Sequence, residues 1–589
     1  MTQIKRTVSV VRRLSHRLAQ FTACLCQVQP GAWPAAPMIA VALLVAAPAV
    51  KAQVADAKTP ARHAVGVAYP TSDAVDRLRL SQLAGDTSHL DEILLRSPSL
   101  MLTDTTALHT RGTSLTWLRP DLYTIVNSAT SFTLNDGAMW AGRGVSTRIS
   151  TGIDIRRGRL HLVIAPEFWT ASNADFVRNR DPYKFFTPHP NYLRYGNGYA
   201  DPWYVQPYSA DVPWRMGKSP LKRIWFGQTG AWYNAGLVEV GVTTENMWWG
   251  PGIQNAIVMS DNAAGIPRIE LRTPRPMKTR IGDFNARWFV GALAESPYFD
   301  TTSANDVRSI AALAVTWRPV FQPTLTLGFT RAVYATSNGY GNVPLRWLDV
   351  FANTGHPADR PPSDSSLYPG GRDQLISLFA RWVFPDDGFE AYTEWARQEL
   401  PNSLHDFIVD PTHSHGYTLG LQYRKPAPVD ATTFRIQGEV TTIEQSGDFK
   451  NRPVGVFYTS RRVIQGYTEF GQPIGAAIGP GASSQWFAID RVSPTSSYGF
   501  MFSRIRWNED VRSNYNWVPS VAYCNHDVSL LPGVRGGHML GNGYVSGELI
   551  VGHRLNSFFQ TQSGCQPGAP SKIDLHPVTV SISFTPFSK

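Results

Sequence analysis

The feature that most constrains this chain is an alternation of apolar and polar residues with a period of two, which recurs from about Leu115 to the C-terminus. This spacing predicts β-strands with one apolar and one polar face. Similar segments begin near Val145, Leu313, Leu325 and Tyr417. In the last one, apolar residues at 578, 580, 582 and 584 alternate with Thr579, Ser581, Ser583 and Thr585.

The first 52 residues predict export. Basic residues precede an apolar run from Met38 to Val50, and the sequence Val-Lys-Ala before Gln53 resembles a cleavage site. The run is shorter than the ~20 apolar residues that a membrane-spanning helix needs. We therefore expect residues 1–52 to be a signal peptide. The net charge of +10 falls to +4 without the six basic residues of this leader, which is too small to indicate nucleic-acid binding.

Export and alternation together favour a membrane barrel over a soluble β-sandwich. Both folds show the period of two, but here the alternating segments continue to the C-terminus, and their apolar faces often end at Trp, Tyr or Phe, as in the aromatic girdles of membrane barrels. We expect an all-β transmembrane antiparallel β-barrel over residues 113–589, placed in the bacterial outer membrane. Outer-membrane lipid and the barrel-assembly machinery are then expected partners.

Residues 53–112 carry the helical pattern of the chain. Ser72 can cap a first helix that Gly85 ends, and Ser88 can begin a second one before Pro98. Short amphipathic helices need a partner surface to be stable. We expect this segment to form a small periplasmic helical element docked on the barrel.

One predicted hairpin indicates which face points inward. The turn Pro-Asp-Asp-Gly at 385–388 pairs Arg381 with Tyr392 and places Glu390 and Glu394 as neighbours on the same face. A charged cluster facing lipid would cost roughly several kcal/mol at the membrane midplane. We therefore expect these four side chains to form a charge network in the lumen.

Loop lengths predict an orientation, because barrels of this kind have short periplasmic turns and long external loops. The turn at 156–159 is then periplasmic. The segment from Thr170 to Lys222, with ten aromatic residues between Tyr183 and Trp214, is external. The strands that follow bring residues 248–249 to the external mouth, where they face outward or fold into the lumen.

The stretch from Thr244 to Arg272 reads TENMWWGPGIQNAIVMSDNAAGIPRIELR. Its Gly-Pro-Gly at 250–252 stops a strand or a helix, so Trp248 and Trp249 lie where a strand ends. Two indole rings at such a place can anchor at the membrane interface, pack as a plug, or stack on a flat ligand. Packing and ligand contact both stay open for each ring.

Three segments of the chain read GVTTENMWWGPGIQNAIVMSDNAAGIPRIELR at 241–272, LNDGAMWAGRGVSTRISTGI at 134–153, and GQPIGAAIGPGASS at 471–484. Together they resemble the Wzi family of capsule-assembly outer-membrane proteins. The resemblance implies about eighteen antiparallel strands and a small periplasmic helical element before them. It implies a lectin-like, non-catalytic protein without a cofactor, which binds and organises capsular or other exported polysaccharide at the cell surface.

Polysaccharide binding needs aromatic faces against sugar rings, planar polar groups against hydroxyls, and basic groups where the polymer is acidic. The two segments at 134–153 and 241–272 supply all three kinds of side chain. The candidate binding residues are Asp136, Trp140, Arg143, Trp248, Trp249, Asn262 and Arg268.

Catalytic and metal-binding patterns are weak. His413 and His415 would share a strand face, but they stand near a loop without an adjacent carboxylate, so we expect a solvated pair and no metal. Cys524 and Cys565 remain after the leader is removed and form either a disulfide or two free thiols. A G-x-S-x-G elbow, an H-E-x-x-H helix and a P-loop are absent from the sequence.

Two alternatives to a polysaccharide-binding barrel stay open. A passive porin would conduct through an open lumen. An outer-membrane hydrolase would assemble a Ser-His pair from separate strands, which a single sequence does not reveal.

Overall fold

The structure is a computed structural model that describes residues 69–86, 93–101, 112–176, 210–299, 303, 305–352, 371–399, 403–428, 431–445, 455–460, 462–510, 526–541, 543–559 and 574–586. The predicted signal peptide, Cys524 and Cys565 lie outside the described residues. So do residues 177–209, which hold most of the aromatic external segment.

In the described part of the chain, eighteen antiparallel strands close into a barrel, as the alternation and the family resemblance predicted. Strand β18 pairs with β1 to close it. The strands are β1 Thr113–Asn127, β2 Gly144–Arg157, β3 Leu160–Ile164 with Glu167–Ala171, β4 Leu221–Trp225 with Gly230–Asn234, β5 Glu239–Thr243, β6 Arg268–Arg272 with Met277–Lys278, β7 Gly282–Ala294, β8 Val307–Pro319, β9 Leu325–Thr336, β10 Arg372–Phe384, β11 Phe389–Arg397, β12 His415–Arg424, β13 Thr433–Thr442, β14 Ser483–Val492, β15 Ser496–Trp507, β16 Asp527–Leu540, β17 Gly543–Val551 with His553–Leu555, and β18 Val578–Pro586.

Prolines account for several irregular strands. Pro166 separates the two halves of β3, and Pro274 and Pro276 separate those of β6. Proline has no N–H to donate to a neighbouring strand, so it interrupts the ladder where it stands. In β1 the register shifts between Leu118 and Asp121, at Pro120.

The two faces of the wall differ in polarity. On β12 the outward-facing Leu419 and Leu421 are 51% and 47% exposed, whereas the inward-facing Thr418 and Gln422 are fully buried. Further outward apolar side chains are exposed around the wall, among them Val440, Phe487, Ile489 and Phe434. An apolar outer surface on a closed barrel is the surface that faces lipid.

The connections at the two ends of the barrel differ in length. Only Gly158 and Arg159 separate β2 from β3, whereas residues 244–267 separate β5 from β6 and residues 443–482 separate β13 from β14. By the usual rule the end with short turns is periplasmic. The hairpin of β10 and β11 has the predicted register, with Arg381 opposite Tyr392 and Phe384 opposite Phe389.

The N-terminal segment lies against the inner wall at the end with short turns. Helix α1 spans Asp73–Gln82 and α2 spans Pro98–Met101. Between them, Leu95–Arg96 forms a short strand that pairs with Trp248–Trp249. The second predicted helix is therefore wrong over its last residues, because pairing with a distant segment overrides the helical pattern.

Three other short helical segments lie in the longer connections. A 3₁₀-helix spans Tyr340–Phe351 between β9 and β10, α3 spans Leu404–Val409 between β11 and β12, and a 3₁₀ turn spans Ser557–Phe559. Within the described ranges, none of the helices has the length and apolarity to cross a membrane.

Candidate functional site

The connection between β5 and β6, residues 244–267, folds down into the lumen. Trp248 and Trp249 are fully buried there, paired in register with Arg96 and Leu95. The guanidinium of Arg96 lies over the ring of Trp248 at 4.8 Å. Gly250 between them and the next turn has φ +111°, a backbone conformation that other residues rarely adopt.

Carboxylates on the barrel wall hold this connection in place. Glu439 of β13 accepts the backbone N–H groups of residues 253, 254 and 255 at 2.5–3.1 Å, and it also accepts the hydroxyl of Tyr392 at 2.8 Å. Glu394 of β11 accepts the N–H of Ile257 at 3.0 Å. A hydrogen bond to a charged acceptor is stronger than one between neutral groups. Several backbone donors that converge on one carboxylate therefore hold this part of the connection against the wall.

The three family-like sequence segments meet in the lumen. The parts of the chain that fill the lumen, namely the 244–267 connection, the 471–484 segment and α1, are here called the plug. From the segment at 134–153, Asn135 and Gly137 donate their N–H groups to Asn262 Oδ1 and Asp261 O at 3.2 and 2.8 Å. From the segment at 471–484, Pro473 O accepts from Asn262 Nδ2 at 3.0 Å. The three family-like segments are therefore distant in the sequence but contact one another in the buried plug.

Helix α1 completes the plug at the short-turn end. Arg79 Nε lies 2.6 Å from Glu390 Oε1, and Arg381 also pairs with Glu390 at 2.5 Å. Asp76 pairs with Arg435 of β13 at 2.7 Å. Although burial alone would raise the pKa of Asp76, the charges of Arg435 and Arg535 hold it below its ordinary value.

The predicted lumen charge network lies on the inner face, in two parts. Arg381 and Glu390 are ion-paired beneath α1. Glu394 binds the 244–267 connection, and Tyr392 donates its hydroxyl to Glu439, which binds the same connection. All four side chains are buried.

Several predicted polysaccharide-binding residues are buried and make contacts within the protein. Trp248 and Trp249 are completely buried and cannot touch a polymer in this conformation, so the packing interpretation is the one that the structure favours. Asn262 binds the 471–484 segment, as described above. Arg268 is buried in a cluster with Glu270 at 2.9 Å and Glu245 at 3.6 Å.

The remaining candidates lie near the wall. Trp140 is 4% exposed and packs with Ile125 and Trp169. Arg143 is half-buried and donates Nε to Ser128 O at 3.0 Å. Asp136 is the candidate that lines a cavity.

A cavity of about 500 Å³ lies between the plug and the wall formed by β13 to β18, β1 and β2. Its lining combines aromatic rings, paired charges and hydroxyl groups. Hydroxyl-bearing side chains line it on three strands, namely Ser497 and Ser503 of β15, Ser546 of β17, and Thr579, Ser581, Ser583 and Thr585 of β18. These β18 residues are the polar half of the alternation at the C-terminus.

The charged groups of the cavity are mostly engaged with one another. The guanidinium of Arg148 lies over the rings of Tyr69 and Tyr123, at 3.8 and 5.2 Å, and 3.6 Å from Asp121. Asp136 accepts the hydroxyl of Tyr123 at 2.9 Å, and burial raises the pKa of this carboxyl. Such a lining offers both donors and acceptors without a large excess of either charge.

Most residues of the cavity were missed by sequence reasoning. Arg435, Asp490 and Arg535 lie on three strands and converge through Asp490, which contacts Arg435 at 3.0 Å and Arg535 at 2.6 Å. Each of them occupies a polar position in an alternating segment, and this pattern is the signal in the sequence that indicates an inward-facing side chain. The spacing along one strand does not show which distant strand lies opposite.

The histidine pair differs from its prediction. His413 is buried rather than solvated, with Nε2 3.2 Å from Glu399 and Nδ1 3.6 Å from Asp410. Among the described residues, no group of three or more His, Cys, Asp and Glu side chains is arranged to hold a metal ion.

Comparison with known proteins gives a family and a fold. Residues 227–489 match the family model "Capsule assembly protein Wzi". Among solved structures, the chain is similar to Wzi of Escherichia coli, described as an outer-membrane protein involved in group 1 capsule assembly and a carbohydrate-binding β-barrel. The two share 10% identity over 90% of this chain and 97% of that one, with a TM-score of 0.51. At this identity the likeness concerns the fold.

Weaker similarities reach other barrels. OccK2 of Pseudomonas aeruginosa shares 10% identity over 80% of this chain and 97% of its own, with a TM-score of 0.35. OccAB4 of Acinetobacter baumannii shares 8% identity over 81% and 99%, with a TM-score of 0.36. No curated protein matches the chain significantly in sequence. The family match over residues 227–489 and the barrel fold together make the chain similar to the Wzi family of capsule assembly proteins.

Proposed function

We propose that this protein is a lectin-like, non-catalytic barrel that binds capsular or other exported polysaccharide and organises it at the cell surface, in the outer membrane. The observation that carries the proposal is a lumen filled by the chain itself. The 244–267 connection, the 471–484 segment and α1 are bound to the wall and to one another through buried carboxylates and backbone groups. A barrel filled in this way is suited to holding a ligand rather than conducting solutes.

The cavity beside the plug supports a saccharide as the ligand. Its volume lies within the range of small-molecule sites, ~300–1,000 Å³. Sugars present C–H faces and rows of hydroxyls, which aromatic rings and paired polar groups match. Tyr123 and Tyr544 supply rings, and the hydroxyl row of β18 supplies donors and acceptors. We propose that one or two sugar units of the polymer occupy this space.

Binding of the producing organism's polysaccharide to the purified barrel tests the function. Retardation of the protein in gels containing the polymer is expected for the wild type. If the polymer neither retards the protein in gels nor gives a heat of binding in calorimetry, the proposal is wrong. Steady, large conductance in planar bilayers would favour a porin instead, and an esterase activity lost on replacement of one serine would favour a hydrolase.

Substitutions on β18 test the location separately. Tryptophan at Ser581 or Ser583 would fill the cavity, whereas Ile582→Trp on the same strand would point outward and serves as the matched control. We expect the two inward variants to lose binding and the outward one to keep it. If all three bind as the wild type does, the polymer docks elsewhere, while the binding function stands.

A further inference from the structure

The connection between β9 and β10 lies on the outside of the barrel rather than above it. Its 3₁₀-helix Tyr340–Phe351, together with Ala352, is here called the strap. Val343 and Val350 on the strap are 5% and 1% exposed. Val343 packs against Val290 and Ala292 of β7, and Trp347 is packed against the same cluster.

The wall beneath the strap is built to receive it. Two register-paired rows of outward-facing residues cross β7, β8 and β9 there, and all six members are small. Each is at most 8% exposed, although outward side chains elsewhere, such as Leu419, are about half exposed. The rows are Val290, Ala311 and Val333, and Ala292, Ser309 and Ala335.

Polar bonds fix the C-terminal half of the strap to the wall. Trp288 Nε1 donates to Trp347 O at 3.2 Å. The outward-facing Arg331 of β9 donates to Ala352 O at 2.6 Å and to Gln374 at 2.8 Å. Arg372 Nε lies 3.3 Å from Asp349. The strap therefore supplies an acceptor to Trp288 Nε1 and an additional one to Arg331, on an outer face where polar groups without a partner are costly.

The opposite face of the strap is apolar and open. Leu345, Leu348 and Phe351 are 80%, 65% and 60% exposed. They are spaced three residues apart, which in a 3₁₀-helix with about three residues per turn aligns them along one side.

The height of the strap on the wall indicates what meets that side. Trp317 of β8 stacks with Phe284 and contacts Phe321, an aromatic cluster at the short-turn end. Ala311 and Ser309 lie six and eight residues further along the strand. At ~3.3 Å per residue and a tilt of ~40° they lie ~15–20 Å above that cluster, and the apolar band of such barrels is ~25 Å tall. The strap thus lies within the upper half of the band.

We propose that the strap is immersed in the outer leaflet and that Leu345, Leu348 and Phe351 contact lipid acyl chains. The strap covers part of the apolar wall and presents an apolar surface of its own, on the same outer face as the exposed Leu378 of β10. This surface adds an attachment of the barrel to lipid through an external connection, independent of polysaccharide binding.

Spin labelling in phospholipid vesicles tests the proposal. The variants Leu345→Cys, Leu348→Cys and Phe351→Cys are each made singly in the full chain, whose native cysteines are changed to serine. Leu419→Cys on the wall and Asp387→Cys in a short turn serve as lipid and water references. We expect the three strap labels to collide with oxygen at least several-fold more than with a nickel chelate, as the label at 419 does.

Two outcomes would overturn the proposal. Collision with nickel at the level of the label at 387 would place the strap in water. Low collision with both reagents, together with dipolar broadening between labels, would mean that a second copy of the chain covers the strap. A heat-modifiable band in electrophoresis, equal to that of the wild type, shows that each labelled barrel is folded.

Discussion

At the scale of single residues, the two adjacent indoles show how a recognisable string can be structural. Trp248 and Trp249 are both fully buried, and Trp249 contacts the ring of Phe289 at 5.6 Å. Replacing either by alanine leaves a cavity as large as the ring. We expect each variant to lower the free energy of unfolding by about 3–5 kcal/mol, measured by urea denaturation in lipid vesicles.

An exposed tryptophan provides the control for that experiment. Trp117 is 67% exposed on β1, so Trp117→Ala should change stability much less. In Trp248→Ala and Trp249→Ala, polysaccharide binding should fall only in proportion to the fraction of molecules in which the plug is unfolded. If Trp248→Ala is folded and as stable as the wild type but binds less polysaccharide, the Trp248 ring contacts the ligand.

Glu439 offers a second prediction at this scale. Its carboxylate receives three consecutive backbone N–H groups and a tyrosine hydroxyl. Glu439→Gln leaves only one oxygen for these donors and removes the charge, so we expect a loss of roughly 2–3 kcal/mol in unfolding free energy. Hydrogen exchange at residues 253–255 should accelerate. Asp387→Asn in an exposed turn is the control, and equal exchange in both variants would contradict the role assigned to Glu439.

At the scale of elements, the strands were predictable and the plug was not. The β10–β11 hairpin could be placed in register because its turn and both faces lie within about twenty residues. The partners of α1 are remote: Arg79 binds Glu390 across 311 positions and Asp76 binds Arg435 across 359. Local pattern predicts the helix, although Ser72 Oγ makes no cap bond and the helix ends at Gln82 rather than at Gly85. Long-range electrostatics decide that the helix lies inside the wall.

The same reasoning explains why Trp248 and Trp249, predicted at the rim, are buried in the lumen. A Trp-Trp-Gly-Pro-Gly string indicates a rim when read along one strand. The connection turns inward because carboxylates on β11 and β13 meet its backbone donors, and nothing within the string itself shows this.

The hairpin of Thr468–Glu469 and Gln472–Pro473 is expected to respond to pH. Burial raises the pKa of Glu469 from its ordinary value of 4.5 to about 8. A raised pKa means that the folded chain holds a proton that the unfolded chain releases. This contribution to stability is complete below pH 4.5 and is lost as pH rises through 8. Hydrogen exchange of the hairpin, corrected for intrinsic rates, should be faster at pH 9 than at pH 6.

A neutral side chain at this position is the control. Glu469→Gln keeps an acceptor for the N–H of Ala294, which lies 2.7 Å from the carboxylate, but it cannot ionise. The pH dependence of exchange should flatten in this variant. An equally steep dependence in the variant would assign the effect to another group.

At the scale of the whole molecule, ion pairs join the plug to the wall. In each of these pairs the wall residue also has a second partner of opposite charge on the wall. Glu390 also pairs with Arg381, and Arg435 also pairs with Asp490. Removing the α1 side chains therefore leaves the inner wall satisfied. This separation makes it possible to loosen the plug without destabilising the barrel.

The double variant Asp76→Ala with Arg79→Ala uses that separation. The wild type should show little conductance in planar bilayers because the chain fills its lumen. The variant should show frequent transient openings, since α1 loses its pairs with Arg435 and Glu390 while the strands keep theirs. Asp387→Ala in a short turn is the control and should stay closed. A variant as quiet as the wild type would mean that α1 is held by its remaining contacts, such as Gln82 with Arg381 at 2.6 Å. Large steady openings of the wild type itself would mean that the barrel conducts despite the plug.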